Sequence, residues 1–229
     1  MPAGYLFDMD GLLLDTERLT LDAFLDCAPE FDLDPGEMRA FFMTLIGSAR
    51  TQGEAMVRDF IGPDRDFDAL DLAWQHHSQR RLAAGIPVKP TVAETISALH
   101  ASGAVMAVVT STFGDKARHH LDRAGLLRCF RTVIGGDEVP ANKPDPAPYV
   151  QAAEQLGVPP QNCAAFEDSD TGITAAARAG CFAVQIPDLR PSARAFPDVG
   201  QRFATTLTEA VTTAQAHFHH ERRRQGRSL

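Results

Sequence analysis

From residue 105 onward, short apolar runs and helical patterns alternate with little interruption, and this alternation constrains the fold more tightly than any other property of the chain. Residues 105–110 (VMAVVT) are a continuous apolar run of the kind buried on both faces of a parallel sheet. A helical pattern over 115–124 follows, then a strand at 132–134, a helix over 147–156, a strand at 163–166, a helix over 172–179 and a strand at 182–186. Strands separated by helices need crossover connections, so neighbouring strands run parallel. The expected class is α/β with a doubly wound parallel sheet.

One further strand comes almost at the chain start, where Tyr5, Leu6 and Phe7 end an apolar run that Gly11 breaks. Between it and residue 105 the patterns are helical. Leu19, Phe24 and Leu25 form one apolar stripe, and Met38, Phe41, Phe42 and Leu45 form another, with the turn-rich FDLDPGE between them. Helical stretches continue over 54–60 and 67–82, the proline-punctuated IPVKPT returns the chain, and a helix over 92–100 ends at Gly103. Residues 16–86 therefore read as a helical insertion after the first strand, with 1–15 and 87–216 making the sheet domain. The basic last thirteen residues, HFHHERRRQGRSL, lack an apolar period. They read as a frayed tail over 217–229, with metal binding by its histidines or anion binding by its arginines as alternatives.

The first strand leads into FDMDGLLLDTE, where Asp8 and Asp10 sit at its carboxyl end, the edge at which open parallel sheets place ligands. Side chains at i and i+2 leave a strand on the same side, so both carboxylates can face one pocket while Met9 turns into the core. Two such charges repel and are tolerable mainly where a cation holds them, and hard, oxygen-seeking Mg²⁺ suits them. The plainer alternative is an Asp-rich turn that caps a helix.

Three later strand ends and loops carry similar signals. The strand at 105–110 ends in Val109, Thr110, Ser111 and Thr112, whose hydroxyls can hold a phosphoryl oxygen or cap the next helix. Lys143 sits in ANKPDP, where Pro144, Pro146 and Pro148 stiffen the mounting of a single cation, or else it is a solvated loop lysine. Apolar Ala164 to Phe166 run into Glu167 and Asp168, and Gly172 then opens a helix that Asp170 or Ser169 can cap, with Asp170 preferred.

Taken in order, these four pieces resemble the four motifs of the haloacid dehalogenase superfamily. The first matches D-x-D-G-x-x-x-D, the second a Ser or Thr ending the second core strand, the third the K-P-x-P variant and the fourth E-D-S-x-x-G. Asp15, Thr16 and Glu17 resemble the branch that contains sugar-phosphate phosphatases and β-phosphoglucomutase. The resemblance implies a Rossmann-like core with a small helical cap, and an enzyme that hydrolyses a small phosphorylated metabolite, such as a sugar or polyol phosphate, with Mg²⁺. It further implies Asp8 as the nucleophile that becomes phosphorylated, Asp10 as general acid and base, and Thr110 and Lys143 around the phosphoryl group. The metal ligands it implies are Asp8, Asp10 through its carbonyl, Glu167 and Asp168. Gly11 and Ser111 would contact substrate. In IGSAR, Arg50 matches a cap arginine that grips a distal phosphate, or it pairs with Glu54 at i+4.

A phosphosugar mutase is the main rival. The position matching its hinge histidine is Thr20 here, and no histidine lies between Glu17 and Asp59, which favours hydrolysis. Lys89-Pro90-Thr91 also departs from the usual K-P-G. Outside enzymes, a phospho-acceptor domain would gather acids, a hydroxyl and a lysine, but such domains are nearer half this length and need no inserted cap.

A net charge of −8 gives no basic surface for nucleic acid or anionic membrane, so neither partner is expected. The polar Asp8 to Asp10 turn interrupts the first hydrophobic run, and no stretch approaches the roughly 18 apolar residues of a membrane span. Cys27, Cys129, Cys163 and Cys181 show no C-x-x-C pair or metal-ligand spacing and read as reduced and buried. The expectation is a cytoplasmic monomer.

Overall fold

Every residue of β1 (Gly4–Phe7) is buried, as befits a strand covered on both faces. The computed structural model describes residues 1–46, 50–190 and 194–225 of the chain. After β1 come α1 (Thr16–Asp26), α2 (Ala28–Phe31), α3 (Pro35–Leu45), α4 (Arg50–Ile61), α5 (Phe67–Ala84) and α6 (Val92–Ala101). Strands and helices then alternate: β2 (Met106–Val109), α7 (Gly114–Arg123), β3 (Thr132–Ile134), α8 (Ala147–Leu156), β4 (Cys163–Glu167), α9 (Asp170–Arg178) and β5 (Phe182–Gln185). The chain closes with β6 (Arg202–Phe203) and α10 (Leu207–Gln225).

Among the described residues the strands form one sheet in the order β3-β2-β1-β4-β5-β6, and every neighbouring pair is parallel. The expected doubly wound α/β class is what the chain adopts. Because the winding runs from β1 through β2 to β3 on one side and resumes at β4 on the other, its direction reverses between β1 and β4. A crevice at the carboxyl end of that pair is where open α/β sheets take ligands. Phe7 lies opposite both Val108 and Phe166, so the residues that follow all three strands emerge at one level.

The chain divides into two units. The first comprises Met1–Leu14, Val88–Asp188 and the chain from Phe196 onward. Its core sets Leu6, Ala107 and Ala165 against Tyr149, Ala152 and Ala153 of α8 and Ile173, Ala175 and Ala176 of α9, small residues that let helices approach the sheet closely. On β1 and β4, Phe7 and Phe166 stack with ring centroids 4.9 Å apart.

The second unit comprises Asp15–Pro87 and Leu189–Ala195. Phe24 and Met38 are fully buried at its centre, with Phe42, Val57, Ile61 and Leu70 around them. Its helices start as their sequence dictates. The Asp34 carboxylate caps α3 by accepting from the Glu37 N–H at 2.9 Å, with Pro35 in the first turn, and Asp66 does the same for α5.

Three features differ from the sequence expectation. Leu189 and Arg194, read as part of the sheet domain, belong to the helical unit, because Leu189 packs on its core and the Arg194 guanidinium donates to the Ile46 carbonyl at 3.1 Å. The second is β6, which was not expected because two exposed residues carry no pattern. Third, the expected frayed tail is helical through Gln225: His217 stacks on Phe182 with centroids 4.0 Å apart, and Phe218 is buried beside it.

All four cysteines are free and buried, and burial pushes the thiols of Cys27 and Cys181 up to about 12 and that of Cys163 to about 11. No helix among the described residues is long and apolar enough to cross a membrane.

Candidate active site

The shared register of β1, β2 and β4 brings Asp8, Thr110 and Glu167 out at one end of the sheet. Asp8 is anchored there by its own N–H, which donates to the Phe166 carbonyl at 3.0 Å. Asp8 is 6% exposed and Glu167 wholly buried. Between them lies Lys143, from the loop before α8, whose ammonium donates to Asp8 Oδ1 at 2.5 Å, Glu167 Oε1 at 2.6 Å and the Val109 carbonyl at 2.8 Å. All three ammonium protons are thereby spent, which fixes the lysine as a rigid counter-charge. The lysine is no solvated loop residue, since its side chain is 4% exposed.

Asp10 leaves the strand end on a different errand. Its Oδ2 accepts from the Thr112 hydroxyl at 2.8 Å and the Thr110 hydroxyl at 3.1 Å, and Thr110 Oγ1 in turn accepts from the Thr112 N–H at 3.0 Å. Thr110, expected to meet a phosphoryl oxygen, here donates to Asp10, as does Thr112. Ser111 between them is exposed. The alternative of a cap for the next helix fails, because the Gly114 N–H at the start of α7 donates to Asp137 Oδ1 at 2.7 Å and not to one of these hydroxyls. Met9, as expected, is fully buried.

Gly11 has a φ of +79°, and a Cβ there would run into the Asp168 carboxylate, so both its conformation and its close approach require glycine. That carboxylate completes an acidic group: one oxygen each of Asp8, Glu167 and Asp168 lie within 4.8 Å of one another. The Asp10 carboxylate, tied to the two threonines, is outside the group. Burial pushes the Asp8 carboxyl well above the usual range, and the nearby Glu167 and Asp10 add to this against the pull of Lys143. Burial disfavours the Lys143 ammonium too, but Asp8 and Glu167 outweigh it and hold its pKa above that of an ordinary lysine. Three buried acid groups surround one buried ammonium, so acids outnumber the positive charge in the site. The donors are hard oxygens throughout, so both charge and chemistry fit a divalent cation such as Mg²⁺.

Several residues of the site escaped sequence reasoning. The wholly buried Tyr149 donates its hydroxyl to Glu167 Oε1 at 2.5 Å, and burial, reinforced by Glu167, keeps that phenol protonated. Its only sequence signal is a place on the inner face of α8. Ser169 donates to Glu167 Oε2 at 3.1 Å and accepts from the Gly172 N–H at 3.0 Å. It is therefore Ser169 that caps α9, and the reading of Asp170 as the cap is corrected: Asp170 lies within the first turn and accepts from Gln185 Nε2 at 3.1 Å. The same amide, fully buried, donates to the Asp168 carbonyl at 3.3 Å. Residues 47–49 of the expected IGSAR loop and the Arg50 side chain lie outside the described residues.

A sequence model of the haloacid dehalogenase-like hydrolases matches residues 3–180. The chain is 33% identical over 199 residues to Protein CbbY of Rhodobacter capsulatus, covering 80% of this chain and 84% of that one. It is 31% identical over 184 residues to the fructose-1-phosphate phosphatase YqaB of Escherichia coli (strain K12), covering 80% and 96% respectively. Among solved structures, CbbY from Rhodobacter sphaeroides in complex with phosphate superposes with a TM-score of 0.68 at 25% identity, over 91% of this chain and 96% of that one.

Proposed function

The chain belongs to the haloacid dehalogenase-like hydrolase family, and on that premise we propose that it is a Mg²⁺-dependent phosphatase that hydrolyses a small phosphorylated sugar or polyol through a phosphoaspartate. The observation that carries this reading is the buried contact of Lys143 with both Asp8 and Glu167 at the sheet's switch point. It offers a carboxylate nucleophile, a fixed positive charge and a metal-binding acid group in one place. A relative that is a fructose-1-phosphate phosphatase supports the substrate class.

In this reading an oxygen of Asp8 attacks phosphorus in line with the ester oxygen. Asp10, oriented by Thr110 and Thr112, protonates the departing alkoxide and then takes the proton of the water that hydrolyses the acyl phosphate. Lys143 offsets the negative charge that nucleophile and phosphoryl group bring together, and backbone N–H groups after Asp8 meet the phosphoryl oxygens, other than that of Gly11, which donates to the Leu14 carbonyl at 2.9 Å. Asp8, Glu167, Asp168 and the Asp10 carbonyl would hold Mg²⁺, which when bound supplies further charge neutralisation to those oxygens. The helical unit serves as the cap that excludes water and selects the leaving group, and Arg50 and Ser111 are assigned to substrate binding. The protein works as a cytoplasmic monomer with its thiols reduced, without nucleic acid or membrane as partner.

Hydrolysis is favoured over a mutase by Thr20, whose hydroxyl donates to the Thr16 carbonyl at 2.9 Å and so offers no proton relay in place of a histidine. The test is phosphate release from sugar phosphates, polyol phosphates, phosphoglycolate and nucleotides, with Mg²⁺ and with a chelator. Mg²⁺-dependent release from sugar or polyol phosphates is expected. Conversion of β-glucose 1-phosphate to glucose 6-phosphate without release would establish the mutase instead.

A further inference from the structure

Glu167 is the most constrained side chain of the site. Its Oε1 accepts from the Lys143 ammonium at 2.6 Å and the Tyr149 hydroxyl at 2.5 Å, and its Oε2 from the Ser169 hydroxyl at 3.1 Å. The carboxylate also lies flush against the α9 backbone, since a Cβ on Gly172 would run into it. Three donors and a wall leave it one orientation. Two of these restraints have other duties: Lys143 is shared with Asp8, and Ser169 caps α9. Among the described residues the Tyr149 hydroxyl has Glu167 as its acceptor and no second one.

We propose that Tyr149 is a positioning residue for the metal, whose hydroxyl holds Glu167 so that the carboxylate is shared between Lys143 and Mg²⁺ instead of collapsing onto the lysine. The inference rests on the reading of Asp8, Glu167 and Asp168 as a Mg²⁺ site. Lys143 sits 5.4 Å from the centre of the Tyr149 ring, so the ring backs the ammonium while the hydroxyl competes with it for Oε1. Without that hydroxyl, Oε1 answers to the ammonium only, and Ser169 at Oε2 is the one donor left to oppose a shift of the carboxylate toward the lysine. Groups that orient metal ligands in this way commonly change affinity by about 10–100-fold when removed. Tyr149→Phe removes the oxygen and keeps the ring.

The test is calorimetric titration of chelator-stripped protein with Mg²⁺, alongside thermal melts with and without the ion. Tyr149→Phe is expected to weaken Mg²⁺ binding by about tenfold or more and to shrink the rise in Tm that Mg²⁺ produces. A loss of kcat/KM that diminishes as Mg²⁺ is raised would accompany this. Equal Mg²⁺ affinity in the two proteins, with Tm lowered by the same amount in chelator and in Mg²⁺, would reduce Tyr149 to a packing residue and overturn the proposal. A second measurement covers a variant that does not fold. The chain has two tyrosines, so in Tyr5→Phe protein the tyrosine ultraviolet difference spectrum on adding Mg²⁺ reports Tyr149. A difference signal is expected, and its absence while Mg²⁺ binds contradicts the proposal. Failure of the wild-type protein to take up Mg²⁺ overturns the metal reading itself, an outcome distinct from equal binding by wild type and variant.

Discussion

The Lys143 ammonium lies 2.5 Å from Asp8 Oδ1, and both side chains are nearly closed to solvent. A buried ion pair adds little net stability over a well-packed apolar pair, but removing one partner strands the other. Lys143→Met keeps the length and removes the charge, leaving Asp8 and Glu167 buried together. It is expected to cost about 3–5 kcal/mol in urea unfolding and at least about a hundredfold in kcat. Unchanged stability would contradict the role of Lys143 as the buried partner of the two acids.

Asp10 and its two threonines separate proton transfer from metal binding. Asp10→Asn is expected to lower kcat by about 10²–10⁴-fold, with Mg²⁺ affinity measured by calorimetry left close to wild type, because its carbonyl remains. Thr112→Val removes one donor to the same oxygen and should cost about fivefold, the worth of one ordinary hydrogen bond.

Thr91 occupies a left-handed conformation with φ +66°, unfavourable for a β-branched residue, and its buried hydroxyl has no hydrogen-bond partner among the described residues. Thr91→Gly relieves both penalties at the price of a freer unfolded chain. A net gain of about 1 kcal/mol in thermal or urea unfolding is expected.

The end of α10 belongs to the sheet unit. A chain stopped at Ala216 loses the His217 and Phe218 contacts with Phe182 and should be destabilised by about 2–3 kcal/mol. A dispensable tail would give no change.

How far the molecule could be read from its residues depended on how local each signal was. The strands ending at Phe7, Val109 and Glu167 announce themselves by apolar runs that stop in carboxylates or hydroxyls, and the parallel order follows from the helices between them. Tyr149 was not legible as a site residue, and Thr112 was legible only as one of three hydroxyls and not as a partner of Asp10, because Glu167 and Asp10 are fixed only by the register of β1 and β4 and the packing of α8. Ser169 and Asp170 are both good caps by type, and only the Gly172 N–H decides between them. The second half of α10 carries histidines and arginines around a single buried phenylalanine, too sparse an apolar face to give a period. Residues 189–195 look like any proline-rich connector until Leu189 is seen against the helical core.

Asp8→Asn tests the nucleophile directly, since it replaces one oxygen by an amide nitrogen and leaves the Glu167 partner of Lys143 in place. With Mg²⁺ and a sugar phosphate that the wild-type protein hydrolyses, phosphate release is expected to vanish while the folded state and its Tm persist, and no phosphoryl group should be found on the protein after acid quench. Wild-type-like release from the Asp8→Asn protein would contradict covalent catalysis by Asp8.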